Sequence, residues 1–298
     1  MKKILAVIVL LATEMTFAQQ PAGAVSHSGS GYCKQKTEGI LRTVGSALHS
    51  AGGSAPNVAM DSNGQTNPML KIGKRYLGTT YVAHTLDRNT EEKLVVQRDS
   101  VDCLTFVEYV TAEAMGPCFD ENLQKIRYRD GIIDGYPSRL HYTSDWIDNG
   151  VRHGLIKDIT AEHSPYTIEL SISYMSAHPQ KYKQLADSPA NVARMAAYEK
   201  ALSGKSVHWL PKNKLPDQGL PWIMNGDIIA FTTSVKGLDI AHVGIAQYIR
   251  GKLHLLHASS TQKKVVTSEK PVSKMFEDNK SWTGIRVVRV PQPSKSSL

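Results

Sequence analysis

Apolar side chains at Leu104, Val107, Val110 and Ala114 recur at the spacing of one helix face. Asp102 stands just ahead with the chemistry of an N-cap, so Cys103 opens the first turn. The same pattern predicts a helix from Cys33 to Leu48, with Ile40, Leu41, Val44 and Leu48 on one side. A further helix runs from Asn67-Pro68 to about Leu77, with proline in its first turn and Gly78 at its end. Tyr81 follows in an extended segment. Asp120 caps a helix carrying Leu123 and Ile126. Arg127 to Gly204 is polar, aromatic and helical in patches, and its last helix opens at Pro189 and closes at Gly204. Beyond it the pattern turns to strands: Asp227–Phe231, His242–Ala246, Leu253–His257 and Ile285–Val288, separated by Gly and Lys turns. Helices first and an antiparallel sheet later predict an α+β domain, with N-terminal helices packed on the sheet and a helical insertion at about 127–204.

The N-terminus changes the picture of where the domain works. Lys2 and Lys3, the apolar run Ile4–Ala12 and Thr16-Phe17-Ala18 have the form of a signal peptide over residues 1–18. Residues 19–66 then form a leader and N-terminal helix, residues 67–290 the main domain, and 291–298 a tail. The expected product is exported, periplasmic or secreted, with no integral membrane segment after cleavage. The formal charge of +8 falls to +7 without Lys2, Lys3 and Glu14. That balance suits an anionic wall polymer or plain solubility equally. No Lys/Arg block is dense enough to predict nucleic-acid binding. Three cysteines do not make a disulfide scaffold. Cys33 and Cys118 are able to pair and would leave Cys103 as a free thiol.

A thiol at a helix N-terminus sits at the positive end of the macrodipole, which favours thiolate. Such a nucleophile needs an imidazole and a polar group to hold that imidazole. His242 and His257 lie on successive strands around a turn at Arg250-Gly251-Lys252. A hairpin therefore sets them side by side. His254, three residues from His257, faces the other way. Zinc held by Cys103, His242 and His257 lacks any close-spaced ligand pair, so neither metal nor cofactor is expected. Asp134 and Asp145 as a glycosidase pair are weaker, since nothing places them together.

The order Tyr81, Asp102-Cys103, Gly226-Asp227, His242-Val243-Gly244-Ile245 and His257-Ala258-Ser259 resembles the NlpC-type papain-like cell-wall hydrolases. The resemblance implies Cys103 as nucleophile, His242 as general base, His257 as the polar third member and Tyr81 as an oxyanion donor. It gives Asp227 a structural place. Arg127–Gly131, Ser138–Trp146 and Leu256–Ser260 sharpen the likeness to the N-acetylmuramoyl-L-alanine amidase-like subgroup, over roughly residues 67–290. The chain departs from the wider superfamily in having Val82-Ala83 after the tyrosine, where a Gly-Gly pair is usual. It also has Asp-Cys-Leu-Thr in place of Asp-Cys-Ser-Gly.

The likeness implies an exported cysteine amidase or peptidase acting on peptidoglycan or muropeptides. The expected bond joins N-acetylmuramic acid to L-alanine. A D-glutamyl endopeptidase and a non-catalytic peptidoglycan-binding protein remain alternatives. His141, Tyr142, Asp145, Trp146 and Asp102 are the expected substrate-binding residues.

Overall fold

A computed structural model of the chain describes residues 67–291. The expected signal peptide, the leader with its Cys33–Leu48 helix, and the tail beyond Pro291 lie outside the described residues. The described part is a mixed α+β fold. Nine α-helices occur among the described residues: α1 (Pro68–Lys74), α2 (Cys103–Ala114), α3 (Phe119–Arg127), α4 (Thr143–Arg152), α5 (Ile159–His163), α6 (Tyr174–Ala177), α7 (Lys183–Ala186), α8 (Pro189–Leu202) and α9 (Val272–Asp278). The strands are β1 (Thr80–Tyr81), β2 (Ser100–Val101), β3 (Lys157–Asp158), β4 (Thr167–Glu169), β5 (Ser206–His208), β6 (Leu210–Pro211), β7 (Ile228–Thr233), β8 (Ile240–Ile249), β9 (Lys252–Ser259), β10 (Lys264–Thr267) and β11 (Trp282–Arg289).

The main sheet runs β2-β1-β10-β9-β8-β7-β11-β3, with β6 also against β11. Only β1 and β2 pair parallel; the neighbours from β1 through β3 on the other side are antiparallel. Every residue of β7 is buried. A strand covered on both faces needs no polar alternation, which explains the run Ile-Ile-Ala-Phe. Arg250 and Gly251 both have positive φ, 50° and 76°. That is the geometry of a tight two-residue hairpin turn, and it sets Ile249 opposite Lys252.

Two apolar layers sandwich the sheet. On one face Phe106, Val107 and Val110 of α2 join Val243, Ile245, Leu256 and Ala258. On the other, Val272 and Phe276 of α9 join Phe231, Leu255, Val287 and Trp282. Gly73 lets α1 approach closely, because a Cβ there would meet the Leu256 side chain at 2.9 Å. A third cluster, with Leu170, Met175, Leu185 and Met195, belongs to the insertion. The insertion also holds the ribbon β4–β5, which its helical pattern does not announce.

Several local expectations shift. α2 is buried nearly all round rather than on one face, because α1, α3 and the sheet enclose it. Its Glu108 is neutralised there by Arg127 at 2.8 Å. Cys118, not Asp120, occupies the N-cap of α3, and Asp120 sits inside the first turn, near the positive helix end. Cys118 is disulfide-bonded and Cys103 is a free thiol. The Cys33 half of the expected pairing lies outside the described residues. Asp227 is buried and clamped by Arg289 at 2.6 and 2.7 Å, a structural anchor beside β7. Among the described residues no helix is long and apolar enough to cross a membrane.

Candidate active site

The thiol is placed by a helix start. The Asp102 carboxylate accepts the Thr105 N–H at 2.8 Å, and the Thr105 hydroxyl oxygen accepts the Asp102 N–H at 2.8 Å. This reciprocal box satisfies donors that a helix end would leave bare. Cys103 follows as the first helical residue, 6% exposed. β1 lies beside β2, with Tyr81 opposite Val101, so the tyrosine stands across the ladder from the start of α2.

The imidazoles come from the hairpin. His242 Nε2 and His257 Nδ1 are 2.7 Å apart in a buried hydrogen bond. The register of β8 against β7 slips between Phe231 and Thr232, and that of β11 between Trp282 and Gly284. Bulges of this kind re-aim side chains. Here the Trp282 ring lies nearly parallel to His242, at 9° and 5.5 Å between centroids. Gly244 leaves room for the pair, since a Cβ there would meet His257 Cβ at 2.9 Å. His254 instead hydrogen-bonds the Ser268 carbonyl at 2.8 Å and takes no part in the pair, as strand parity requires.

The thiol and one imidazole face a common cavity. The backbone N–H of Val243, the residue after His242, reaches the Cys103 sulfur. Cys103, His242 and Tyr81 line one cavity of about 140 Å³. His242 Nε2 is committed to His257, which leaves Nδ1 as the ring nitrogen able to serve the thiol.

Electrostatics correct the expected thiolate. Burial, and then the Asp102 carboxylate, push the Cys103 thiol up to about 12, against the N–H groups of Val243, Leu104 and Cys103 that favour the anion. The macrodipole is worth too little to overcome desolvation. Burial, and then His257, drive His242 well below its ordinary value. Burial also takes His257 down to about 4. The pair is therefore a neutral thiol and a neutral imidazole at neutral pH. Burial, followed by Cys103 and Asp102, raises the Tyr81 phenol, so it stays a hydrogen-bond donor.

The expected substrate-binding residues divide. Asp102, His141 and Tyr142 line the cavity. His141 Nε2 donates to the Tyr136 carbonyl at 2.9 Å, and burial and the nearby Arg139 bring its pKa down to about 3. Asp145 and Trp146 do not line it. Asp145 is gripped by Arg129 at 2.9 and 2.5 Å, and Trp146 belongs to the core beside α2. Consecutive residues of a helical turn point about 100° apart, so one hexapeptide cannot face one cavity throughout. Asp134 and Asp145 sit in separate ion pairs, with Arg194 and Arg129.

Sequence reasoning missed four charged residues on the same cavity, Asp87, Glu108, Arg139 and Asp239. Arg139 donates to Asp87 at 2.8 Å and to Glu92 at 2.7 Å. Burial opposes ionisation of Asp87, but the His84 hydrogen bond and the Arg139 guanidinium hold its carboxyl at about 2. No local pattern marks residues 52 positions apart in sequence as partners. Asp239 accepts the Ser144 N–H at 2.6 Å and so caps α4 from the strand side. Its place three residues ahead of His242 was the one available signal. Among the described residues no group of three or more His, Cys, Asp or Glu side chains is placed to hold a metal ion.

Fold and site together define a mixed α+β protein with a candidate thiol–imidazole centre at the junction of helix and sheet. Residues 71–285 match the AmiA-like family, described as N-acetylmuramoyl-L-alanine amidase-like, and the chain belongs to that family. A crystal structure of an N-acetylmuramoyl-L-alanine amidase from Bacteroides uniformis ATCC 8492 is similar to it. The identity is 60%, with a TM-score of 0.75 over 76% of this chain and 98% of that one. A Bacteroides fragilis protein provisionally described as a xylanase is 57% identical, with a TM-score of 0.73 over 74% of this chain and 100% of that one. A Legionella pneumophila str. Philadelphia 1 protein, 22% identical with a TM-score of 0.57 over 75% of this chain and 88% of that one, shares the fold alone. No curated protein matches the chain.

Proposed function

We propose that the protein is an exported, papain-like thiol amidase that cuts the bond between N-acetylmuramic acid and L-alanine in peptidoglycan fragments. One observation carries the reading: a buried thiol at a helix N-terminus shares a cavity with an imidazole whose far nitrogen is held by a second imidazole. The amidase name of the Bacteroides uniformis relative supports the choice of bond. Residues 1–18 as a signal peptide support export.

In the proposed cycle His242 Nδ1 takes the thiol proton as Cys103 Sγ attacks the lactyl carbonyl. A neutral pair suits this order, because charge separates only as the bond forms. The Cys103 N–H and the Tyr81 hydroxyl receive the oxyanion. The intermediate collapses as the imidazolium gives its proton to the L-alanine nitrogen, and the peptide leaves with a free amine. His242 then deprotonates water, which attacks the thioester and releases the muramic acid carboxyl and the thiol. His257 keeps the ring in one orientation throughout. The cavity, about 140 Å³, is small beside the ~300–1,000 Å³ of common ligand sites. Residues of the insertion line much of it, and on that ground soluble muropeptides are the proposed substrates.

Mass spectrometry of a disaccharide-tetrapeptide incubated with the reduced mature protein and with Cys103→Ala tests the reading. Free disaccharide plus intact tetrapeptide from the wild type alone is the expected result. A disaccharide-dipeptide would instead make it a D-glutamyl endopeptidase. No cleavage would leave a binding role, and equal cleavage by both proteins would remove Cys103 from the chemistry.

A further inference from the structure

Two residues that line the cavity from the insertion, Tyr142 and Met175, share one carboxylate. Glu199 of α8 is 2% exposed and forms no ion pair among the described residues. Its Oε1 accepts from the Tyr142 hydroxyl at 2.6 Å and from the N–H groups of Met175 and Ser176, each at 3.0 Å. Oε2 accepts from the Ser176 hydroxyl. The Met175 N–H is shared with the Tyr142 oxygen at 2.8 Å. One turn along α8, the Ser203 hydroxyl oxygen accepts the Ile172 N–H at 2.9 Å. From the other side the Gly237 carbonyl accepts the N–H groups of Ser173 and Tyr174, both at 3.1 Å.

Residues 172–176 are thus wedged between α8 and the connection that leads into β8. A buried carboxylate with no cation is costly to keep charged unless every lone pair is used. Here they are used on Ser176 and on Tyr142 and Met175, two of the insertion residues that line the cavity. Aliphatic packing alone would let an unbranched methionine and a loop of this kind shift.

We propose that Glu199 is the positioning residue that sets this wall, and that through Tyr142 and Met175 it limits the size of substrate admitted to Cys103. The inference rests on the hydrolase reading above. Glu199 touches no reacting atom, so its loss acts on admission and leaves the chemical step in place.

Glu199→Gln replaces an all-acceptor group by one that turns a donor toward N–H and O–H partners. In that variant KM for the disaccharide-tetrapeptide rises about tenfold, the scale of one lost charged hydrogen bond, and kcat stays within about twofold. Discrimination against a crosslinked muropeptide dimer falls. The second readout needs no turnover: the rate of Cys103 alkylation by a bulky fluorescein maleimide relative to iodoacetamide rises. Tyr142→Phe moves that ratio in the same direction, and the double variant adds less than the sum. A merely structural Glu199 would lower Tm while leaving KM, discrimination and the alkylation ratio unchanged, and that result overturns the proposal. If Glu199→Gln does not fold, the alkylation ratio of Tyr142→Phe decides. If the wild type turns over no substrate, the hydrolase reading falls, while the alkylation ratio still judges the wall.

Discussion

Across β7, β8 and β9, side chains around the candidate site are set by apolar packing. Across the insertion an apolar cluster is joined by buried charge. His242 rests on Phe231 and Trp282, and His257 is held against His242. The facing residues hang on Arg129–Asp145, Arg139 with Asp87 and Glu92, and Glu199. Close packing is indifferent to pH and tolerates little change of volume. Polar networks hold geometry well when complete and lose it when one member goes. The imidazole pair therefore sits on the close-packed half, and much of the facing wall sits on the half held by charge.

The largest expected effect falls at the junction of the two. Cys103→Ala lowers turnover of the disaccharide-tetrapeptide by roughly 10⁴-fold or more, with a Tm close to that of the wild type; substantial residual turnover would break the assignment. Next comes the ion pair between α3 and α2. Arg127→Ala strands Glu108 in the core and costs about 3–5 kcal/mol, visible in a urea midpoint.

Acid probes the same contrast. His257 and His141 take up protons in the folded protein near 4 and 3, while the unfolded chain takes them near 6.5. Stability from these neutral rings is intact above pH 6.5 and falls as pH drops toward 4, by on the order of 3 kcal/mol for His257. Thermal melts between pH 7 and 4 read it, and His141→Asn flattens the slope. Gly244→Ala pushes a methyl to within 2.7 Å of Leu255 and 2.9 Å of His257 Cβ. The overpacking costs about 1–3 kcal/mol, with a fall in kcat if the imidazole pair is displaced. The smallest effect belongs to an exposed pair of the insertion. Arg194→Ala, losing Asp134, changes stability by about 0.5 kcal/mol or less.

How much of this was legible beforehand follows from distance along the chain. The Asp102 N-cap, the start of α8 at Pro189 and the juxtaposition of His242 with His257 all follow from residues within one element or one hairpin. The short ribbon β4–β5 and the strand β10 lack a distinctive period and went unseen. The hexapeptide His141–Trp146 read as one binding patch because sequence proximity hides the rotation of a helical turn.

The sequence by itself determined the periodic elements, the capped thiol and the imidazole hairpin, because each is specified by spacing over a few residues. It also carried the family. Only the tertiary structure decided that the thiol is neutral. Desolvation depends on what surrounds a group in space, and here burial outweighs the helix end. Only it decided that Arg139, Asp87 and Asp239 line the cavity, since Arg139 meets Asp87 across 52 residues and Asp239 meets Ser144 across 95, and long-range pairing leaves no periodic trace.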